Sequence, residues 1–249
     1  MAKKSDAVLT GFHAVFEAIR GGAVKAGTLY LASRNAKARD LEALARERGI
    51  AVEHVDKDEL ARRGGEDARH AVLVASEMPE TAFSSLEEYL ATTPGEDALV
   101  VVLDHIEDPH NLGAILRSAD QFGVDVVIAP SRRSAPSTRV VASASAGAST
   151  YVPLLRHANL AQALKRLKDG GFWVYGADAG GAPAPAVDLR GRVALVLGSE
   201  GRGLSRLVAE RCDRLVSVPT EGHVDSLNVS VSAGILLYET RRQQRIPSV

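Results

Sequence analysis

Apolar and polar residues follow one another along most of the chain in the regular succession that short strands and helices produce. From residue 97 onward, apolar runs of strand length alternate with segments whose apolar residues recur at helical spacing. Ala98–Leu103 is apolar throughout, which is typical of a strand buried on both faces of a parallel sheet. The pattern therefore predicts an α/β domain with a mostly parallel sheet over residues 97–249.

The beginning of the chain shows the same mixture on a smaller scale. Ala36–Arg48 has the spacing of an amphipathic helix, and short strand candidates lie on either side of it. Residues 1–78 are therefore predicted to form a small separate α/β domain. Residues 79–96 carry four Glu, no Lys or Arg, and prolines near both ends. This composition predicts an acidic linker with one short helix.

Small residues fill the segment Ala142–Thr150, in which every residue before the last is Ala, Ser or Gly. A helix is predicted over most of it, at Val140–Ser149. Side chains of this size let another backbone approach closely. We expect the segment to pack tightly, either within the fold or against a partner chain.

Composition narrows the class of protein. The chain is 45% hydrophobic and 24% charged, which is ordinary for a soluble globular protein. Its formal net charge of −1 argues against a broadly basic nucleic-acid binder, so any contact with RNA has to come from local patches. The single cysteine, Cys212, excludes an intramolecular disulfide and a cysteine-based metal cluster. Because the sequence shows neither a hydrophobic signal segment nor an apolar run of membrane-spanning length, we expect a cytoplasmic protein without membrane contact.

A polar segment, Asp104–Arg117, follows the strand predicted at Ala98–Leu103. Asn111 stands directly before a predicted helix, Leu112–Phe122, at the place of a helix N-cap. Four side chains that could bind a metal ion lie nearby: His105, Glu107, Asp108 and His110. Their spacing matches no standard ligand set, so no metal site is predicted.

A second polar segment is the glycine-rich loop Gly198–Gly203, which follows a strand predicted at Val193–Gly198. A glycine-rich loop between a strand and a helix can receive a phosphate or a nucleotide. The spacing here is neither that of a dinucleotide-binding loop nor that of a P-loop. Glu200 would also repel a phosphate. A nucleoside without phosphates and with a positive centre fits the loop better.

A third polar segment begins at Pro219, where a predicted strand must stop because proline cannot donate to the sheet. Ser226 or Asp225 is expected to cap the following helix, which is predicted at Val229–Arg242. A strand, a polar loop and a helix start place backbone donors and small polar side chains beside one cleft. This arrangement favours a bound ligand.

Taken in order, the three segments closely resemble the three motifs of the SpoU (TrmH-type) RNA 2′-O-ribose methyltransferases of the SPOUT class. They read LDHIEDPHNLGAILRSADQFGV, ALVLGSEGRGLS and VSVPTEGHVDSLNVSVSAGILLYE. The resemblance covers about residues 97–242. The N-terminal unit, from Gly11–Val15 onward, is similar to the RNA-binding, ribosomal-protein-L30e-like domain of several members. This two-domain form is most similar to the bacterial 23S ribosomal RNA guanosine-2′-O-methyltransferases.

The resemblance implies a trefoil-knotted SPOUT methyltransferase domain that binds S-adenosyl-L-methionine and forms a homodimer, with sites completed at the dimer interface. The implied reaction is 2′-O-methylation of a ribose, with a guanosine of 23S ribosomal RNA as the first candidate. Transfer RNA is an alternative substrate. A non-catalytic RNA-binding assembly factor on the same fold is an alternative from another class.

Individual residues take their implied roles from the same family. Backbone contacts to the cofactor are implied at Gly198, Val218 and Leu227. The positions that match the catalytic set are Asn111, Arg117, Glu200, Ser226 and Asn228. Arg117 is cast either as the base or, since a guanidinium stays protonated, as the group that holds the target phosphate. RNA contacts are expected from the N-terminal domain and from Arg132, Arg133 and Arg139.

Overall fold

The computed structural model describes residues 7–65, 68, 70–77, 83–92, 94–131, 141, 144–145, 147–223 and 226–245 of the 249-residue chain. The described residues form two compact units. The first unit takes those within 1–80 and 137–151, and the second takes those within 81–136 and 152–249. The predicted linker at 79–96 stays a prediction as a domain boundary. The sequence prediction placed residues 137–151 in the second domain, at 97–249. In the structure they group with the first unit.

The first unit contains a four-stranded sheet with the order β1-β4-β2-β3. Its strands are β1 (Ala7–Thr10), β2 (Ala26–Leu31), β3 (Ala51–His54) and β4 (Ala71–Glu77). Its helices are α1 (Phe12–Arg20), α2 (Ala36–Glu47) and α3 (Lys57–Gly64). Strand β4 runs antiparallel to both neighbours, whereas β2 and β3 are parallel. Leu29, Leu41 and Leu73 are fully buried in the core.

The small-residue segment packs against α1. Gly147 has a φ of 91°, and a β-carbon there would lie 3.3 Å from Cα of Ala14. Tyr151 Oη donates a hydrogen bond of 2.6 Å to the Glu17 carbonyl. Four of the ten residues of the predicted helix Val140–Ser149 lie outside the described residues, and Ala148–Thr150 forms a 3-10 turn. The small residues therefore allow the segment to pack closely against the backbone of α1 within the fold.

The second unit contains a six-stranded sheet with the order β10-β8-β9-β5-β6-β7. Its strands are β5 (Leu99–Asp104), β6 (Val126–Pro130), β7 (Leu154–His157), β8 (Trp173–Pro183), β9 (Val193–Gly198) and β10 (Arg214–Ser217). Every pair of neighbouring strands is parallel. The predicted α/β fold with a mostly parallel sheet is confirmed.

Helices cover this sheet, and four of the five described helices begin at a residue whose side chain caps the helix. They are α4 (Leu86–Ala91), α5 (Pro109–Gln121), α6 (Leu160–Asp169), α7 (Arg206–Ala209) and α8 (Val229–Gln244). The prediction of Asn111 as a cap is wrong. Helix α5 starts earlier, because Pro109 suits a first helical position and Asp108 Oδ1 accepts a hydrogen bond from His110 N. None of the described helices is both long and apolar enough to cross a membrane.

The central strands place the polar segments near one another. All residues of β5 and β9 are buried, and the two strands pair in register from Leu99 with Val193 to Asp104 with Gly198. Since the strands are parallel, the segments that follow Asp104 and Gly198 leave the sheet at the same edge. Strand β10 runs in the same direction, so the segment after Ser217 leaves at that edge too.

Candidate active site

A cavity of about 460 Å³ opens at this edge of the sheet. We call it the apolar cavity because Leu197, Val218, Leu227 and Leu236 form much of its wall. Gly198 lines it as well, so all three residues predicted to contact the cofactor through the backbone lie around one space. Its volume falls within the range of roughly 300–1,000 Å³ that is usual for small-ligand sites.

The charges around the apolar cavity are acidic. Asp178 and Glu200 line it, and none of its described lining residues is Lys or Arg. Carboxylates without a cationic partner in the wall would repel a phosphate and attract a cation. The cavity therefore suits a flat apolar group that carries a positive centre, as the spacing and charge of Gly198–Gly203 predicted.

The loop Gly198–Gly203 folds back on itself to form one wall. Ser199 N donates to the Gly203 carbonyl at 3.1 Å, and Gly203 N donates to the Ser199 carbonyl at 2.9 Å. A β-carbon at position 198 would overlap the backbone of Gly203. Gly198 is therefore required for the close approach of the two loop ends.

A second cavity, of about 490 Å³, adjoins the first. We call it the polar cavity because His105, Asn111, Glu200 and Arg202 line it. Ser199, Glu200, Gly203 and Val229 line both cavities. A ligand in one cavity therefore shares a wall with a ligand in the other.

Asn228 joins two other predicted site residues. Its Nδ2 donates to Asn111 Oδ1 at 3.0 Å and to Glu200 Oε1 at 2.6 Å. Its Oδ1 accepts from Ser230 N at 2.9 Å and so caps α8. The expectation that Ser226 or Asp225 would cap this helix is wrong, because the amide of Asn228 serves the helix with its oxygen and the site with its nitrogen.

The other predicted site residues lie elsewhere. Ser226 lines the apolar cavity. Arg117 is exposed on α5, six residues or about 9 Å along the helix from Asn111. It lines neither cavity and makes no hydrogen bond or ion pair with the described residues. The three arginines predicted to contact RNA lie outside the described residues: Arg132, Arg133 and Arg139.

Sequence analysis missed a pair at the end of β5. His105 Nδ1 lies 2.6 Å from Oδ1 of Asp104, whose side chain is 1% exposed. The other carboxylate oxygen of Asp104 accepts a hydrogen bond from Ser205 N at 2.6 Å. The only sequence signal was a histidine next to a strand-ending aspartate, and that histidine had been weighed as a metal ligand.

A parallel sheet whose carboxyl edge carries an acidic, apolar-walled cavity beside a polar one is typical of an α/β protein that binds a nucleoside-like ligand. Comparison with known proteins identifies the family within this class. The model of the SpoU rRNA Methylase family matches residues 98–238, and the model for RNA 2′-O ribose methyltransferase substrate binding matches residues 8–76. The chain belongs to the SpoU rRNA methylase family, as its motifs predicted.

Relatives match both units together. A Staphylococcus haemolyticus protein named as a TrmH family tRNA/rRNA methyltransferase is 40% identical over 245 residues, with 96% of each chain covered. The crystal structure of the SpoU methyltransferase AviRb from Streptomyces viridochromogenes with S-adenosylmethionine has a TM-score of 0.76 at 25% identity, covering 96% of this chain and 90% of that one. A Sinorhizobium meliloti rRNA methyltransferase, also with S-adenosylmethionine bound, has a TM-score of 0.74 at 27% identity, covering 95% and 87%.

Proposed function

We propose that this protein methylates the 2′-hydroxyl of a ribose in RNA, with a guanosine of 23S ribosomal RNA as the substrate. Its family consists of RNA methyltransferases of the SpoU/TrmH type. The observation that carries the proposal is the hydrogen-bonded cluster of Asn111, Glu200 and Asn228 at the boundary between the two cavities. It would place polar groups where a ribose in the polar cavity meets a cofactor in the apolar one.

The cofactor is S-adenosylmethionine, as predicted. Both solved relatives hold it, and the apolar cavity fits it. Apolar walls suit the adenine ring, and Asp178 and Glu200 suit the positive charges. Gly198, Val218 and Leu227 would hold the cofactor through their backbone groups. When bound, it supplies a methyl group on a sulfonium centre.

The side chains around the boundary would orient the reacting groups. The amides of Asn111 and Asn228 offer neutral hydrogen bonds, which fix geometry without repelling the sulfonium. Glu200 already accepts from Asn228 and so has a set position. Ser226 can add a hydroxyl from the apolar cavity. These groups would hold the 2′-oxygen in line with the methyl carbon.

Arg117 would hold a phosphate of the target nucleotide and stabilise the negative charge that develops on the attacking oxygen. Its guanidinium stays protonated, so it is unsuited to act as the base. The Arg117 side chain is exposed and has no partner among the described residues, so it is available to bind RNA. We expect Arg117→Ala to abolish methyl transfer while cofactor affinity stays within a few-fold.

The matched control for this variant is Arg206→Ala. It removes another exposed arginine, which lies on α7 and forms an ion pair with Glu210. It should transfer methyl groups at the wild-type rate. A large loss of cofactor binding in Arg117→Ala would refute the assignment of Arg117 to RNA.

Ribosomal RNA is favoured over transfer RNA by one observation. The first unit matches a substrate-binding domain of RNA 2′-O-ribose methyltransferases, which supports RNA binding for either class of RNA. The Sinorhizobium meliloti protein, which is named as an rRNA methyltransferase, resembles this chain over both units. Base identity rests on the resemblance to guanosine-specific enzymes alone.

The direct test is methyl transfer from methyl-labelled S-adenosylmethionine to ribosomal RNA and to transfer RNA in parallel. We expect label in 23S RNA, at one guanosine whose 3′ linkage becomes resistant to alkali because the 2′-hydroxyl is blocked. Label in transfer RNA alone would favour that alternative. Cofactor binding without label in any RNA would favour a non-catalytic assembly factor.

A homodimer is the proposed assembly. Along α8, three exposed apolar residues follow one another at helical spacing: Val231, Ile235 and Tyr238. Tyr238 packs edge-on against Phe122, which directly follows α5. A second copy of the chain would cover this apolar face. Sedimentation should show a dimer that Ile235→Asp converts to monomer, while Leu207→Asp, at an exposed leucine of α7, leaves it intact. A monomeric wild-type protein would contradict this assembly.

A further inference from the structure

The pair Asp104–His105 forms an oriented imidazole at the end of β5. Asp104 is almost fully buried, and both of its carboxylate oxygens are engaged, one by His105 Nδ1 and the other by Ser205 N. A carboxylate can only accept hydrogen bonds, so the ring proton of His105 lies on Nδ1. In the neutral ring, the lone pair of the imidazole is then on Nε2.

The backbone of His105 is held in an unfavourable conformation. Its φ is 60°, and it is the one non-glycine residue with a positive φ in the part of the chain that the structure describes. A side chain disfavours this region, which glycine enters freely. Such conformations persist where the surrounding structure holds them, and they cluster at functional sites. His105 therefore carries its imidazole at a position where the backbone conformation favours glycine.

His105 faces the same space as the proposed ribose-binding groups. It lines the polar cavity with Asn111 and Glu200, and its side chain is 40% exposed. Its Nε2 makes no hydrogen bond with the described residues. The other charged groups around this cavity are Glu107 and Asp108 on the same loop, and Glu200 and Arg202 on the loop after β9.

The proposed reaction lacks a proton acceptor. The 2′-hydroxyl must lose its proton as it attacks, and Arg117 cannot take it. We propose that His105 is the general base, oriented by Asp104; this inference rests on the proposed function.

The proton is transferred to His105 as the ribose oxygen attacks. The O–H bond of the ribose breaks, an N–H bond forms at Nε2, and the electron pair left on oxygen forms the bond to the methyl carbon. The breaking carbon–sulfur bond leaves its pair on sulfur. The imidazolium, stabilised by Asp104, then releases its proton to solvent.

The first test is His105→Gly, which relieves the backbone and removes the imidazole. We expect the rate of methyl transfer at saturating RNA to fall by about 10²–10⁴-fold, the usual contribution of a general base. Cofactor affinity should stay within a few-fold. Added imidazole should restore part of the rate. His110→Gln, at an exposed histidine of α5, is the matched control and should keep the wild-type rate.

The second test is the pH profile. Only the neutral imidazole can accept a proton. The wild-type rate should therefore fall toward acidic pH. His110→Gln should retain this limb, and His105→Gly without imidazole should lose it. Asp104→Asn should slow the reaction and leave cofactor binding intact, because it releases the ring from its orientation.

Three outcomes would overturn the assignment of His105. These are a His105→Gly enzyme with the wild-type rate, one that loses rate but keeps the acidic limb, and a His105→Asn enzyme that is fully active; asparagine also tolerates a positive φ. A wild-type protein that binds cofactor and methylates no RNA would instead reject the proposed function.

Discussion

The two cavities share a wall but are built in different ways. Backbone approach shapes the apolar cavity, where a loop closes on itself at Gly198 and apolar strand ends supply the surface. Side-chain hydrogen bonds shape the polar cavity, through Asn228 with its two partners and Asp104 with His105. A cavity wall formed by the backbone selects a ligand by its shape, and its glycines tolerate few substitutions. A side-chain wall can be altered one group at a time, so its chemistry can be dissected.

The contrast also separates binding from reaction. Groups of the apolar cavity should govern cofactor affinity, whereas groups of the polar cavity should govern the rate of methyl transfer. Among the described residues, Glu200 is the one acidic residue that lines both. The following substitutions test this division, beginning with the largest effect.

Gly198→Ala should weaken cofactor binding strongly. The added methyl group overlaps the backbone of Gly203, so the loop must open. Overpacking of this kind costs about 1–3 kcal/mol, which corresponds to a loss of affinity of up to about 100-fold. Titration calorimetry with S-adenosylmethionine measures the loss. Gly222→Ala is the control, since a β-carbon there meets nothing within 4 Å. Equal affinities in the two variants would contradict a backbone-shaped cavity.

Asn228→Ser should reduce the rate of methyl transfer with little change in cofactor affinity or stability. Serine caps a helix about as well as asparagine but cannot reach Asn111 and Glu200. Loss of a hydrogen bond to a charged group predicts a decrease of about 10–100-fold in kcat.

Asn228→Ala separates the two tasks of this residue. It should show the same kinetic loss and also melt about 2–4 °C lower, because the cap is lost as well. If the serine variant were fully active, the link from Asn228 to the other two side chains would have no role in the reaction.

Asp178→Asn should have the smallest effect. Asp178 is exposed at the apolar cavity, and the amide can still accept from Gly180 N as the carboxylate does. An exposed charge contributes about 0.2–1 kcal/mol, so affinity for S-adenosylmethionine should fall roughly 2–5-fold at low salt. S-adenosylhomocysteine lacks the sulfonium charge and should bind with less change.

The control for Asp178→Asn is Asp188→Asn. Asp188 is another exposed carboxylate, and hydrogen bonds from Arg190 lower its pKa to about 2. Because it lies outside both cavities, its substitution should leave both affinities unchanged. A loss of equal size for the two ligands in Asp178→Asn would contradict a charge effect.

Much of the fold could be predicted where the pattern is long and strong. Strand β9 lies where it was predicted, β5 is shifted by one residue, and α8 extends two residues beyond its predicted end. The edge strands β1 and β7 were missed. The trefoil knot stays a prediction, because strand order and register describe pairing and leave the threading of the chain open.

By itself the sequence determined the family, the parallel α/β unit and most candidate residues, because motifs and periodicity are local properties of the chain. Only the tertiary structure decided which of these residues meet. Asn228 contacts Asn111 across 117 positions, and Asp104 accepts from Ser205 across 101. These contacts depend on which strands become neighbours and on where each helix begins. Burial of the sheet decides the first, and competition among capping side chains decides the second.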